Sequence, residues 1–412
     1  MELTPVKITT IRTDQALPFA LWDKEGRLLA RSGSVIDDRR ELQTLLRARE
    51  DVYIDVRDSD EHKRFHESRL MTMVMHDERI GKIAQTASRA SDLIQRAANA
   101  NLEEGDGNPD WVYVQEQAHA ILRNGRDEGF LRQIDRLENR ISRYSHANPD
   151  GALLVLIQMA AVEVERYSAT HSVLVSVLCG IAAREVLQWP HPLNATLCQA
   201  ALTMNIGMTE LQDRLAQQTE PLAPLQRRNV GQHDERSVEL LEKLGLQDRT
   251  WLEAVRHHHT QVPGALAPRT PGGRMARLIQ RADMFAAAMS PRAGRRPVPP
   301  GKAMKAIYFD ENHKVDEAGA ALIKAVGIYS PGSYVRLNSE EVAMVVRRGA
   351  NTTTPLAAVI VNRKGMPQIE LTVRDTAQAE FKVTASIPHD GVKVKPNLNR
   401  LLPLTLRNTP GR

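Results

Sequence analysis

Three imidazoles and one carboxylate in the middle of this 412-residue chain have the types and spacing for metal chemistry. His171 opens an apolar helical face that Val175, Leu178 and Ala182 continue. Trp251 and Val255 lead at helical spacing to His258, and Leu252 and Val255 lead to His259. Met275 and Ile279 lead to Ala282 and Asp283 in the same way. Each polar residue thus sits at or beside the core-facing stripe of its own helix. An unpaired buried imidazole or carboxylate is costly, so such groups meet one another or a metal ion. Several histidines and an aspartate converging inside a helical bundle suit an iron, manganese or zinc centre. Taken singly, each residue reads more simply as a hydrogen-bonded core or surface side chain, and spacing alone leaves both readings open.

The elements that must position these residues are mostly helical. From Ala152 to about Val326 the pattern is helical, broken at Pro190–Pro192, Pro221, Pro263–Gly264 and across 290–301. Ahead of it, Pro18–Trp22 and Arg27–Arg31 flank a Gly26 turn and predict a hairpin, followed by a helix over 37–49 and a strand over 52–56. Helices are expected near Ile80–Ile94, from Trp111 to Leu122 and from Gly129 to Ser142, with a mild heptad tendency that suits helices packed on a surface more simply than a dimer stalk. Beyond Tyr329 strands are expected at 333–337, 342–346, 357–361 and 369–373. The fold class is multidomain and mainly α: a small N-terminal α+β domain (1–58), connecting helices (59–150), a central helical domain (151–328), a small β module (329–395) and a loose tail (396–412).

Composition excludes several function classes. Apolar residues make up 42% and charged residues 25%, which is globular rather than disordered. Aromatics at 4% argue against a base-stacking single-strand binder, and a net charge of +5 permits an anionic ligand without demanding nucleic acid. Cys179 and Cys198, both in apolar helical patterns, exclude a disulfide framework and a cysteine zinc site. The longest apolar stretch, 152–162, is too short for a bilayer, and no secretory leader is visible. A soluble cytoplasmic protein with no membrane or nucleic-acid partner is the expectation.

Over 163–337 the order of motifs resembles an HD-GYP domain, the bacterial branch of the HD phosphohydrolase superfamily that cleaves cyclic di-GMP. Thr170-His171-Ser172 resembles its first histidine helix. Ala200–Met208 stands where the family reads A-x-L-H-D-I-G-K, and Gln232–Ser237 resembles its H-P-x-x-G segment. His258–Pro268 fits H-H-E-x-x-D-G-x-G-Y-P in length, and Arg281-Ala282-Asp283-Met284-Phe285 resembles V-A-D-x-F/Y. Arg292 and Arg295 fall at the offsets of the R-P-Y-R/K pair, and Tyr329–Leu337 is similar to Y-P-x-G-S-x-V-x-L. The resemblance implies a helical metal-dependent fold with His171, His233, His258, His259 and Asp283 as ligands. It implies that Arg292 and Arg295 grip phosphate, against the alternative of a solvated basic loop among prolines.

The departures are as informative. Met204 and Asn205 replace the histidine and aspartate that name the motif, and Met208 replaces its lysine. The acid four residues before His171 is Tyr167, the acid after the double histidine is Thr260, and the G-Y-P tyrosine is Ala267. Methionine is a poor ligand for iron(II) or manganese(II), and a neutral asparagine bridges two ions poorly. The remaining ligands suit one divalent ion (iron, manganese or zinc) or none, rather than the multinuclear cluster that makes a nucleophile. The sequence therefore predicts a non-hydrolytic receptor or adaptor that binds cyclic di-GMP or a similar phosphodiester together with a protein partner. Two alternatives stand beside it: a metal-dependent phosphohydrolase with a reduced site, and a purely structural partner-binding protein.

Overall fold

The computed structural model describes residues 3–7, 20–22, 28–30, 51–55, 109–125, 129–293 and 295–406. The chain divides into two compact units, Met1–Pro109 and Asp110–Arg412.

In the first unit β1 (Leu3–Lys7), β2 (Leu21–Trp22), β3 (Leu28–Ala30) and β4 (Asp51–Asp55) form an antiparallel sheet in the order β1-β4-β2-β3. The expected hairpin is present, with Leu21 opposite Ala30 and Trp22 opposite Leu28. The expected helices at 37–49 and 80–94, and with them the heptad stretch, lie outside the described residues.

The second unit begins earlier than the boundary at 150 read from the sequence. Helices α1 (Trp111–Arg123) and α2 (Phe130–Ala147) carry one apolar stripe each, and Trp111, Val114, Ala118, Phe130, Ile134, Leu137 and Ile141 are all buried. Both pack on α4, so they belong to the bundle rather than linking domains. After α3 (Pro149–Ala160), α4 (Tyr167–Glu185) is the central helix, with every residue from Tyr167 to Ala183 buried. A helix apolar on all sides is one surrounded by others, and α4 is covered by α1, α2, α3, α5 (His191–Thr203), α6 (Thr209–Gln217), α10 (Pro271–Met289) and α12 (Glu317–Val326). Between α6 and α10 lie α7 (Pro224–Val230), α8 (His233–Lys243) and α9 (Arg249–His257), and α11 (Pro300–Ala306) precedes α12. Starts follow their sequence signals: Asp248 caps α9 and Thr270 caps α10, each accepting backbone N–H groups, with Pro271 in the first turn of α10.

A second antiparallel sheet follows in the order β8-β7-β6-β5-β9, built from β5 (Tyr334–Leu337), β6 (Val342–Arg347), β7 (Leu356–Val361), β8 (Val373–Asp375) and β9 (Val383–Ile387). Helix α3 packs on β6. Gly332 marks the closest approach: its φ is +90°, and a Cβ there would stand 2.7 Å from the Leu154 carbonyl oxygen, which only glycine accommodates. Two expectations are corrected here. The strand expected at 369–373 is only the short β8, because Ile369 is 80% exposed and has no face to pack on, while β9 supplies the fifth strand. The tail is ordered to residue 406: α13 (Leu398–Leu401) buries Leu398 and Leu401, and Asn148 donates to the Thr405 hydroxyl at 2.8 Å. Among the described residues no helix is long and apolar enough to cross a membrane, and Cys179 and Cys198 are buried free thiols.

Candidate metal centre

The site is held by four junctions. Trp251 on α9 donates its indole N–H to the Thr203 hydroxyl at 2.8 Å, tying α9 to the end of α5. The chain then turns through Met204 and Asn205 into a short 3-10 segment, Ile206–Met208. Gly207 lets that segment lie directly on the start of α8, since a Cβ would stand 2.7 Å from the Ser237 nitrogen and 2.9 Å from the His233 carbonyl oxygen. The Gly207 N–H donates to the Ser237 hydroxyl at 3.0 Å, fixing Asn205 beside the helix that begins with His233. Finally, Gln280 on α10 donates to the Thr260 carbonyl at 3.2 Å and accepts from buried Arg277 at 2.6 Å. Arg277 is itself anchored to Asp316 at 2.8 Å, so the turn carrying His258 and His259 rests on a buried ionic network.

Three imidazoles converge. The side-chain ligand atoms of His233, His258 and His259 lie within 4.8 Å of one another. His233 Nδ1 donates to the Val230 carbonyl and His258 Nδ1 to the Val255 carbonyl, both at 2.6 Å. These bonds fix the neutral tautomer and leave each Nε2 as a bare lone pair. Yet the His233 and His258 Nε2 atoms face each other at 3.2 Å, and His259 Nε2 also stands 3.2 Å from His233 Nε2. Burial, reinforced by the neighbouring imidazoles, pushes His258 down to about 3, and burial lowers His233 too, so protonation does not relieve the repulsion. A single divalent cation does: nitrogen ligands about 2.0–2.1 Å from a tetrahedral ion stand roughly 3.3 Å apart. The Asn205 Oδ1, in the turn seated on the start of α8, is also buried and accepts no hydrogen bond. A carbonyl oxygen without a donor suits a cation.

The remaining expected ligands are arranged differently. His171 Nε2 and Asp283 Oδ1 bond to each other at 2.7 Å. Burial pushes the Asp283 carboxyl up, but the His171 hydrogen bond and the nearby imidazoles outweigh it and hold the group at about 2. Met204 is fully buried. Tyr167, one turn before His171, stacks on its ring with centroids 5.5 Å apart and planes 12° from parallel. Arg292 donates to the Tyr167 hydroxyl at 2.9 Å, and Arg295 donates to the Ala287 carbonyl. The structure thus brings His233, His258 and His259 together, pairs His171 with Asp283, and ties Arg292 to Tyr167. The Tyr167–Arg292 link was not read from the sequence. Its one available signal was the four-residue spacing of Tyr167 and His171 on a single helix face.

A helical bundle that gathers imidazoles from successive helices over a buried carboxylate has the organisation of an HD-type metal domain, and residues 154–319 match the sequence family described as HD domain. That match covers the helical core of the second unit, and over this stretch the chain is similar to proteins of the HD superfamily. A cyclic di-GMP phosphodiesterase of Pseudomonas aeruginosa is 24% identical over 251 residues, 60% of this chain and 59% of that protein. The chain therefore spans less than two thirds of that relative's length. Among solved structures, an HDG"Y"P protein from Bdellovibrio bacteriovorus is similar at 17% identity and a TM-score of 0.42, covering 78% of this chain and 98% of that one.

Proposed function

We propose that this chain binds a phosphodiester of the cyclic dinucleotide class at a mononuclear metal centre, as a receptor or adaptor rather than an efficient hydrolase. The observation that carries the reading is the asymmetry of the site. On one side the ligand atoms of three imidazoles lie within 4.8 Å of one another, and those of His233 and His258 are bare lone pairs. On the other side Met204 is buried, and His171 and Asp283 are bonded to each other. His233, His258, His259 and the Asn205 amide oxygen would hold the ion. A divalent ion there supplies Lewis acidity toward a phosphoryl oxygen. Arg292 and Arg295 add guanidinium donors suited to a phosphodiester. The named activity of the Pseudomonas relative supports the ligand class. A purely structural role leaves the facing lone pairs without a purpose.

The test is calorimetry of cyclic di-GMP into the full chain loaded with iron(II), manganese(II) or zinc, alongside elemental analysis and chromatography of the nucleotide. Saturable heat in the micromolar range, one ion per chain and intact cyclic nucleotide are expected. No heat rejects the receptor reading.

One observation favours a second reading, a metal-dependent phosphodiesterase. Three imidazoles without a coordinating carboxylate form a donor set that catalytic zinc sites use to activate water. Metal-dependent release of linear dinucleotide in the same experiment establishes it in place of the first.

A further inference from the structure

Tyr167 occupies the place where the resemblance puts an acid, and its surroundings show what a phenol does there that an acid cannot. Tyr167 is 2% exposed and lies against the His171 ring on one side. Arg292 donates Nη2–H to its oxygen at 2.9 Å, and the guanidinium carbon also lies 5.1 Å from the ring centroid. Arg292 is therefore oriented twice, by the hydroxyl and by the ring face. Neither contact neutralises it. A carboxylate at position 167 would form an ion pair with Arg292, whereas the phenol fixes the guanidinium and leaves its charge uncompensated.

The rest of the corner is short of an anion. Arg292 Nε is buried and has no acceptor. Arg292 and Arg295 face each other across a backbone bridge, and the Ala293 N–H donates to the Ala216 carbonyl at 2.9 Å, seating this turn on α6. Among the described residues no carboxylate pairs with either arginine; Arg295 donates to a neutral carbonyl. Two like charges held side by side, one with a buried unsatisfied N–H, are in the state that phosphoryl oxygens complete.

We infer that Tyr167 is a positioning residue that holds Arg292 beside Arg295 as an anion-binding pair next to His171, so that the ligand's phosphoryl group is gripped there by guanidinium instead of by a second metal ion. The inference rests on the phosphodiester reading above and specifies how one half of the site serves it.

Inorganic phosphate is the probe, measured by equilibrium dialysis against the metal-loaded full chain, with metal content and thermal unfolding recorded for every variant. Tyr167→Phe keeps the stack and removes the hydrogen bond; phosphate affinity is expected to fall about tenfold at unchanged metal content. Tyr167→Glu is expected to abolish phosphate binding by neutralising Arg292. Phosphate should also perturb the tyrosine ultraviolet spectrum of the native chain and not that of Tyr167→Phe. Should Tyr167→Phe lose stability, Arg292→Lys tests the same link with the phenol in place, and the same loss is expected. If Arg292→Ala loses phosphate while Tyr167→Phe and Tyr167→Glu keep native affinity, the positioning role is overturned and the phosphodiester reading stands. If Arg292→Ala also binds phosphate at native affinity, the anion pair itself is overturned.

Discussion

The two halves of the site treat buried polar groups in opposite ways. Around His233, His258 and His259 the backbone carbonyls of Val230 and Val255 take the outer ring protons and leave inner nitrogens confronting one another. That arrangement is unfavourable until a cation enters. Around His171 one ring nitrogen already has a partner. Asp283 bonds the imidazole Nε2 directly and Tyr167 covers the ring face, while His171 Nδ1 stays buried without a partner. The first half thus leaves ring nitrogens facing one another, and the second pairs its imidazole with a carboxylate and stacks it on a phenol.

The largest effect that tests this contrast is metal loss. His258→Ala should reduce bound metal from one ion per chain to none in elemental analysis, a loss of at least about a hundredfold in affinity. His171→Ala should keep the ion. Equal losses in the two variants would erase the distinction between the halves. Next comes restoration: with Met204→His and Asn205→Asp combined, metal content should rise toward two ions per chain. Hydrolysis of cyclic di-GMP should then increase by about two orders of magnitude or more. A stoichiometry that stays at one means that the Tyr167 corner, and not the motif pair, keeps the second ion out. A smaller effect comes from the support under the intact half. Gln280→Leu leaves every ligand in place and removes the bond to the Thr260 carbonyl, so metal affinity should fall about tenfold.

How much of this was legible in the sequence depends on how local each signal is. His258 and Asp283 announced themselves because a polar residue at the end of an apolar stripe faces inward; His259, expected beside the same stripe, is exposed, although its ring still reaches the other two imidazoles. His233 lies on α8, a helix whose start carries no side-chain cap, and it was found through the resemblance. Helices α1 and α2 were read as connectors because their stripes are interrupted by charge; Glu138 and Arg140 are buried in α2, and nothing local says so. Strand β9 was missed because Thr384 and Ala385 are exposed, so no alternation marks it. The Tyr167–Arg292 bond joins residues 125 positions apart, and its meaning depends on the absence of a carboxylate, which no motif expresses. The pairing of His171 with Asp283, likewise, is a property of the folded interior.

The smallest effects concern buried ionisable groups outside the site, and they show what burial costs when no ligand is involved. Glu138 on α2 is 4% exposed, and burial, with nearby Asp135, raises its carboxyl to about 7. Its folded form holds a proton that the unfolded chain releases near 4.5, so stability falls as pH rises from about 4.5 to 7 and is constant above. His389 has the opposite sign. Burial lowers it to about 4; the neutral ring meets the Gln158 amide at 2.9 Å, on a bond that anchors α3 to the Gly332 carbonyl. The unfolded chain takes up a proton there near 6.5, so this contribution is complete above 6.5 and is lost as pH falls toward 4. Each amounts to roughly 3 kcal/mol, and between about 4.5 and 6.5 the two slopes nearly cancel. Chemical denaturation of the native chain should therefore show, in that window, the rise of stability with pH that His258 and His233 contribute, since burial lowers both. Glu138→Gln should steepen that rise and His389→Asn should flatten it. Variant profiles parallel to the native one would mean that neither group keeps its buried environment.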